Sequence, residues 1–160
     1  MNIRLRTERT IRASAEAVFA LALDAQRFPG MFTGCGPIPG LRRIILDAPP
    51  AVGATRKLED NNGLVMNERI TALDPGRRHA YALSGLHPPL AWLVRTGHAD
   101  WKFAPLAEGT QVVWTYDFEL SSPLAWPLAW PLLRGFMRGA MQRCLDAMAR
   151  ALESTMRAQR

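Results

Sequence analysis

Apolar and polar positions follow two different periods along this chain. From Ile3 to about residue 120 the dominant step is two, and after Pro131 it becomes three and four. Ile3, Leu5 and Ile11 alternate with Arg4, Arg6 and Arg12, which predicts a first strand. Ser14 then stands where a helix N-cap belongs, with Glu16 in the first turn, where the helix dipole favours an acid. Val18, Phe19, Ala22 and Leu23 give that short helix its apolar face, and the Phe28, Pro29, Gly30 run stops it. A second short helical turn is expected around residues 26–32. Residues 34–40 carry three glycines and two prolines and read as a loop. They form no phosphate cradle, because no GxxxxGK[ST] run is present and no helix follows.

Six further strands are predicted, over 41–46, 54–60, 64–73, 78–86, 92–103 and 110–120, each bounded by turn chemistry. Asn61, Asn62 and Gly63 read as a three-residue hairpin loop, with glycine where φ must be positive. Asp74, Pro75 and Gly76 make a tight turn, His87 to Pro89 breaks a strand, and Glu108 with Gly109 turns the last hairpin.

Beyond Pro131, Leu133, Met137, Ala140, Cys144, Met148 and Leu152 fall on one helical stripe. Arg134, Arg138, Arg150 and Arg157 lie largely off it, and Asp146–Arg150 and Glu153–Arg157 have i,i+4 spacing with the acid first. This predicts an amphipathic helix of roughly 25 residues, about 38 Å long. Nothing else in the chain is as long. One long helix closing one curved sheet is the simplest arrangement, which makes the molecule a container.

Strand parity then assigns an inner face. Val112, Trp114, Tyr116 and Phe118 share one side of the last strand and must face the helix. Trp101, Phe103, His79, Tyr81 and Leu83 point inward by the same reasoning. A three-residue loop at 61–63 pairs Asp60 with Leu64, Leu58 with Met66 and Arg56 with Glu68. A two-residue Asn62-Gly63 turn would instead set Glu68 against Lys57. The expected cavity residues are Arg56, Met66, Glu68, Tyr81, Trp101, Trp114, Tyr116 and Phe118 on the sheet, with Met137 and Met141 on the helix. Arg95 and His79 are further polar groups of that inner face, His79 being a rim residue beside the 74–78 turn rather than a base. Side chains such as Trp101, Trp114 and Phe118 are more often plain core than ligand contacts. Arg56 and Glu68 are either a structural cross-strand pair or a ligand anchor.

Composition narrows the function. At 160 residues, with 48% hydrophobic and 21% charged side chains, one globular domain spanning 1–160 is expected. The net charge is +6, and all 20 basic residues but Lys57 and Lys102 are arginines. They are scattered rather than clustered, so nucleic acid is not an expected partner. Cys35 and Cys144 have no CxxC spacing and the three histidines share none, so no metal site and no disulfide framework is indicated. No cofactor is expected. The N-terminus lacks an apolar run and the apolar segment 124–133 is too short to span a bilayer, so a cytoplasmic protein is the default. That segment, rich in Trp-Pro pairs, is either an irregular lead-in with Pro131 in the helix's first turn, or an apolar lip at a cavity mouth. Peripheral membrane contact through it, beside Arg134 and Arg138, is the lesser expectation.

Several runs carry a family resemblance: Ile11 to Phe19 at the first strand–helix junction, Asp24 with Phe28 and Pro29, and Glu68 to Ile70. The turn from Asp74 to Arg78, then Tyr81, Trp101 to Phe103, Gly109 with Thr110, and Trp114 to Phe118 complete the set. Over its whole length the chain resembles the START/Bet v 1-like (SRPBCC) superfamily, and within it the polyketide cyclase/dehydrase and lipid-transport group. The resemblance implies an α+β helix-grip fold: a curved seven-stranded antiparallel sheet wrapped around a long C-terminal helix, with two short helices after the first strand. It also implies an apolar cavity for a small hydrophobic molecule, lipid- or polyketide-like, which the protein would bind, carry or sense. The alternative is a cyclase/dehydratase-type enzyme in which Arg56, Glu68 or Tyr81 would move protons. A third reading is an interaction module docking through the Trp-Pro lip. No catalytic residue carries over, because the fold hosts several activities.

Overall fold

A computed structural model describes all 160 residues, Met1–Arg160. Strand β1 (Asn2–Ile11) leads into helix α1 (Ala15–Leu23), whose N-cap Ser14 accepts a hydrogen bond from the Ala17 N–H at 3.2 Å. A short 3₁₀ turn follows at Phe28–Gly30, where Pro29 supplies a preset φ. The segment expected to be a loop contains a small hairpin of its own, β2 (Gly34–Cys35) with β3 (Ile38–Pro39).

Six more strands complete the sheet: β4 (Leu41–Leu46), β5 (Thr55–Asp60), β6 (Val65–Asp74), β7 (Arg78–Ser84), β8 (Val94–Leu106) and β9 (Gly109–Leu120). Their order is β1-β9-β8-β7-β6-β5-β4, antiparallel throughout, so β1 and β4 are the edges. Register shifts break the ladder at Leu41/Arg43, Ile70/Ala72 and Val94/Thr96. Such bulges bend strands and add local twist, which lets a sheet wrap a helix.

The shift in β8 overturns one expectation. Trp101, Ala99 and Gly97 face inward, but the extra residue at the bulge reverses the parity, so Val94 is buried and Arg95 is exposed. Arg95 instead meets Glu119 on the outer face at 3.3 Å. The segment expected to open this strand forms a short helix, α2 (Leu90–Leu93), and leaves Trp92 in solvent.

The C-terminal helix starts earlier than its stripe suggests. A 3₁₀ turn at Pro123–Ala125 passes into helix α3 (Trp126–Pro131), then a π-turn over Leu132–Met137, then helix α4 (Arg138–Ala158). Pro127, not Pro131, occupies the first turn, where its missing N–H costs nothing. Pro131 lies inside the helical path, cannot donate to the carbonyl four residues back, and is followed at once by the wider π-turn. The predicted stripe, Leu133 to Leu152, is buried at every position and packs on one core cluster with the aromatic face of the sheet. The i,i+4 ion pairs do not form. Asp146 reaches Arg9 of β1 at 2.6 Å, and Glu153 accepts from the Arg12 backbone N–H, so both acids fasten the helix to the first strand. No helix is long and apolar enough to cross a membrane.

Candidate functional site

The site begins with a turn. The buried Asp60 carboxylate accepts hydrogen bonds from the backbone N–H groups of Asn62 (2.8 Å) and Leu64 (3.0 Å), and Gly63 takes φ +82°. An Asx-type closure of this kind selects the three-residue loop over the two-residue one. The register that follows puts Arg56 opposite Glu68 and Leu58 opposite Met66. A one-residue slip would have turned these side chains to the other face.

Arg56 and Glu68 are closed on each other inside the protein. Arg56 Nε donates to Glu68 Oε1 at 2.8 Å and Arg56 Nη2 donates to the same oxygen. Their side chains are 4% and 3% exposed, so this is a fully desolvated pair rather than a surface bridge. Burial pushes the Glu68 carboxyl above its usual range, outweighing the pull of Arg56 in the opposite direction.

Across β7 and β9 the same inner face carries His79, Tyr81 and Tyr116. The His79 and Tyr81 rings lie 5.1 Å apart, and Tyr81 meets Tyr116 edge-on at 6.1 Å. Burial, reinforced by the charge of Arg56, lowers the His79 pKa from 6.5 to about 3, so its imidazole is neutral at physiological pH. Burial and the Glu68 charge raise the Tyr81 hydroxyl, and burial with Tyr81 beside it raises that of Tyr116. Both phenols therefore stay protonated. His79 was expected at a rim; with 1% exposure it is interior, because β7 carries it past the turn onto the face covered by the helix.

These groups line a cavity of about 160 Å³ between the sheet and the helix. It is walled by 29 residues, 19 of them hydrophobic. Of the residues expected there, Arg56, Met66, Glu68, Tyr81, Trp101, Trp114, Tyr116, Phe118 and Met137 do line it. Met141 does not: it is wholly buried in the core, one position beyond the Ala140 step of the stripe. The aromatics form two stacks, Trp101 on Trp114 at 4.1 Å and Tyr116 on Phe118 at 4.4 Å. Gly97 makes room for the second, since a Cβ there would lie 2.8 Å from the Tyr116 ring.

Parity could not reveal the part of the lining that comes from connections between the strands of the large sheet. Pro37, Ile38 and Pro39 of the small hairpin, and Leu86 to Leu90 between β7 and α2, line the cavity too. Their only sequence signal is proline density in two connections. His87, expected simply as a loop residue, ties its segment to β6 through Nε2 and the Val65 carbonyl at 2.7 Å.

The polar part of the wall has a consistent chemical bias. Arg56 Nη1, both ring nitrogens of His79 and the Trp114 indole nitrogen have no protein partner, although all are buried. A buried donor left unpaired costs roughly 1–3 kcal/mol. Arg56 Nη1 and the Trp114 indole can only donate, so the wall complements a molecule with an apolar body and an oxygen acceptor. Cys144 is not a nucleophile: burial raises its thiol pKa far above neutrality. No group of three or more metal-ligating side chains converges.

Comparison with known proteins agrees with this architecture. The family model described as polyketide cyclase/dehydrase and lipid transport matches residues 2–153. Among solved structures, the Zhui aromatase/cyclase from Streptomyces sp. R1128 superposes with a TM-score of 0.77 at 18% identity, covering 99% of this chain and 98% of that one. Norcoclaurine synthase from Thalictrum flavum, in complex with dopamine and hydroxybenzaldehyde, gives 0.71 at 13% identity, over 96% and 88% of the two chains. Ara h 8.0201 gives 0.70 at 13% identity, over 96% and 99%. At these identities the likeness concerns the fold. No curated protein sequence matches the chain.

Proposed function

The chain belongs to the polyketide cyclase/dehydrase and lipid-transport family of the Bet v 1-like superfamily, and from that we propose that it binds a small hydrophobic molecule carrying an oxygen acceptor. The molecule sits between the sheet and the C-terminal helix, its body against Trp101, Trp114 and Phe118 and its acceptor toward Arg56. The observation that carries this reading is an apolar cavity with a desolvated Arg56–Glu68 pair in its wall, one guanidinium nitrogen still free to donate.

Size limits the ligand. A cavity near 160 Å³ accepts something on the scale of one aromatic ring without rearrangement. A larger, multi-ring or long-chain ligand requires the two proline-rich loops at 37–39 and 86–90 to move outward.

The second reading, a cyclase or dehydratase, is favoured by the concentration of titratable groups at the apolar wall. Its weakness is chemical. An imidazole whose pKa has fallen to about 3 is a poor base for a carbon acid, and Glu68 is already engaged by Arg56. Binding is therefore the primary reading. Native mass spectrometry of the purified protein tests it. A copurified or added hydrophobic molecule should be retained at one per chain, and turnover of that molecule into a dehydrated or cyclised product would favour the enzyme.

A further inference from the structure

From Pro123 to Leu133 no side chain is charged, and only the two indole N–H groups can donate a hydrogen bond. In a folded protein such a run belongs in the interior. Here only Ala125, Ala129 and Leu133 are buried. Leu124 is 89% exposed and Leu128 68%, while Trp126 and Trp130 stack at 5.0 Å and remain more than a third exposed. Trp92 of α2, at 71% exposure, extends the patch. The two segments are joined by Ser121, whose N–H and hydroxyl donate to the Leu93 and Trp92 carbonyls at 2.9 and 2.7 Å.

We propose that this patch is a docking surface for an anionic lipid membrane. Charge is the first reason. No acid occurs between Leu120 and Leu145, although the chain has 14, whereas Arg134, Arg138 and Arg143 are all exposed there. Arg134 lies over the Trp130 ring at 4.4 Å and forms no ion pair. Tryptophans at the headgroup level, leucines below them and arginines reaching outward are the arrangement an interfacial segment needs.

Other occupants fit less well. A protein interface carries about one hydrogen bond per 100–200 Å², and this segment offers almost no side-chain partners for them. A symmetric contact with a second copy would bring this segment, which carries no acid of its own, against itself, leaving Arg134, Arg138 and Arg143 without a carboxylate from it to meet. Leu90 and Leu132 line the cavity and lie within two residues of Trp92 and Trp130, so the patch adjoins the cavity mouth. The docking surface nevertheless stands whatever the cavity holds.

The experiment is vesicle flotation with phosphatidylcholine alone and with phosphatidylcholine mixed with phosphatidylglycerol. The protein should float with the anionic vesicles at low salt and release as salt rises. Leu128→Glu should weaken the association about tenfold or more, and Arg134→Gln about fivefold on anionic vesicles only. Both sites are exposed, so unchanged melting temperatures are expected. Bromine-labelled acyl chains, which need no variant, should quench the fluorescence of the wild-type protein through its three exposed tryptophans. Failure to float at low salt, indifference to Leu128→Glu, or absence of quenching would overturn the proposal. So would a wild-type dimer that Leu128→Glu converts to a monomer, since a second copy would then own the patch.

Discussion

Removing one member of the Arg56–Glu68 pair strands the other charge in an apolar interior. Arg56→Met should therefore cost about 3–5 kcal/mol, while Arg56→Met with Glu68→Leu should come back to near wild-type stability. Urea unfolding of the two variants measures this. The double variant also separates two roles. If it stays folded yet loses its ligand, the free guanidinium nitrogen anchors the molecule; if it still binds, the pair belongs to the scaffold. His79 contributes with the opposite pH sense. Its folded pKa, about 3, lies below the unfolded 6.5, so the unfolded chain binds the extra proton as pH falls through that window. Stability should drop between pH 6.5 and 3 by an amount on the order of 4 kcal/mol, and His79→Phe should flatten that slope. For Glu68 the folded pKa is raised, so its contribution is present in acid and fades as pH climbs through the folded value. A His79→Phe variant as acid-sensitive as the wild type would contradict the buried, neutral imidazole.

Among the elements, those with strong periodicity were legible and those set by irregularity were not. The start of α1 followed from Ser14 and Glu16, although the helix ends at Leu23, short of the Phe28–Gly30 run expected to stop it, and the Arg56–Glu68 register followed from a loop that Asp60 closes. Arg95 was misplaced because a bulge leaves no mark in the alternation it interrupts. The α3 helix was hidden by its prolines, which usually end helices but here occupy the first turn and the approach to a π-turn. Its one buried residue is Ala129, too small to register as a stripe. Met141 was misassigned because the helix buries a face wider than one stripe, and only part of that face meets the cavity. At the same scale, Gly97→Ala is a direct test of β8 against β9. The added methyl would sit 2.8 Å from the Tyr116 ring and 3.1 Å from that of Phe118. Displacing the stack should cost about 1–3 kcal/mol, read as a lower melting temperature.

At the scale of the whole molecule, the fold makes its interior the functional part. The sheet turns two aromatic stacks and a polar cluster toward one helix, and two proline-rich loops border the cavity left between them. The surface arginines form no continuous block, and several are paired with acids one by one: Arg9 with Asp146, Arg43 with Glu59, Arg78 with Asp100, Arg95 with Glu119. Nucleic-acid association should accordingly be weak and disappear as salt approaches physiological levels. The cavity itself is tested most directly by native mass spectrometry of the wild type and a Met66→Trp variant, each offered the same small acceptor-bearing aromatic molecules. Met66 is a half-buried lining residue, so the larger ring fills free space without invading the packed core. The wild type should hold one molecule per chain and the folded variant should bind about tenfold more weakly or worse. Equal binding by both proteins, or no binding by the wild type, would contradict a ligand site between sheet and helix.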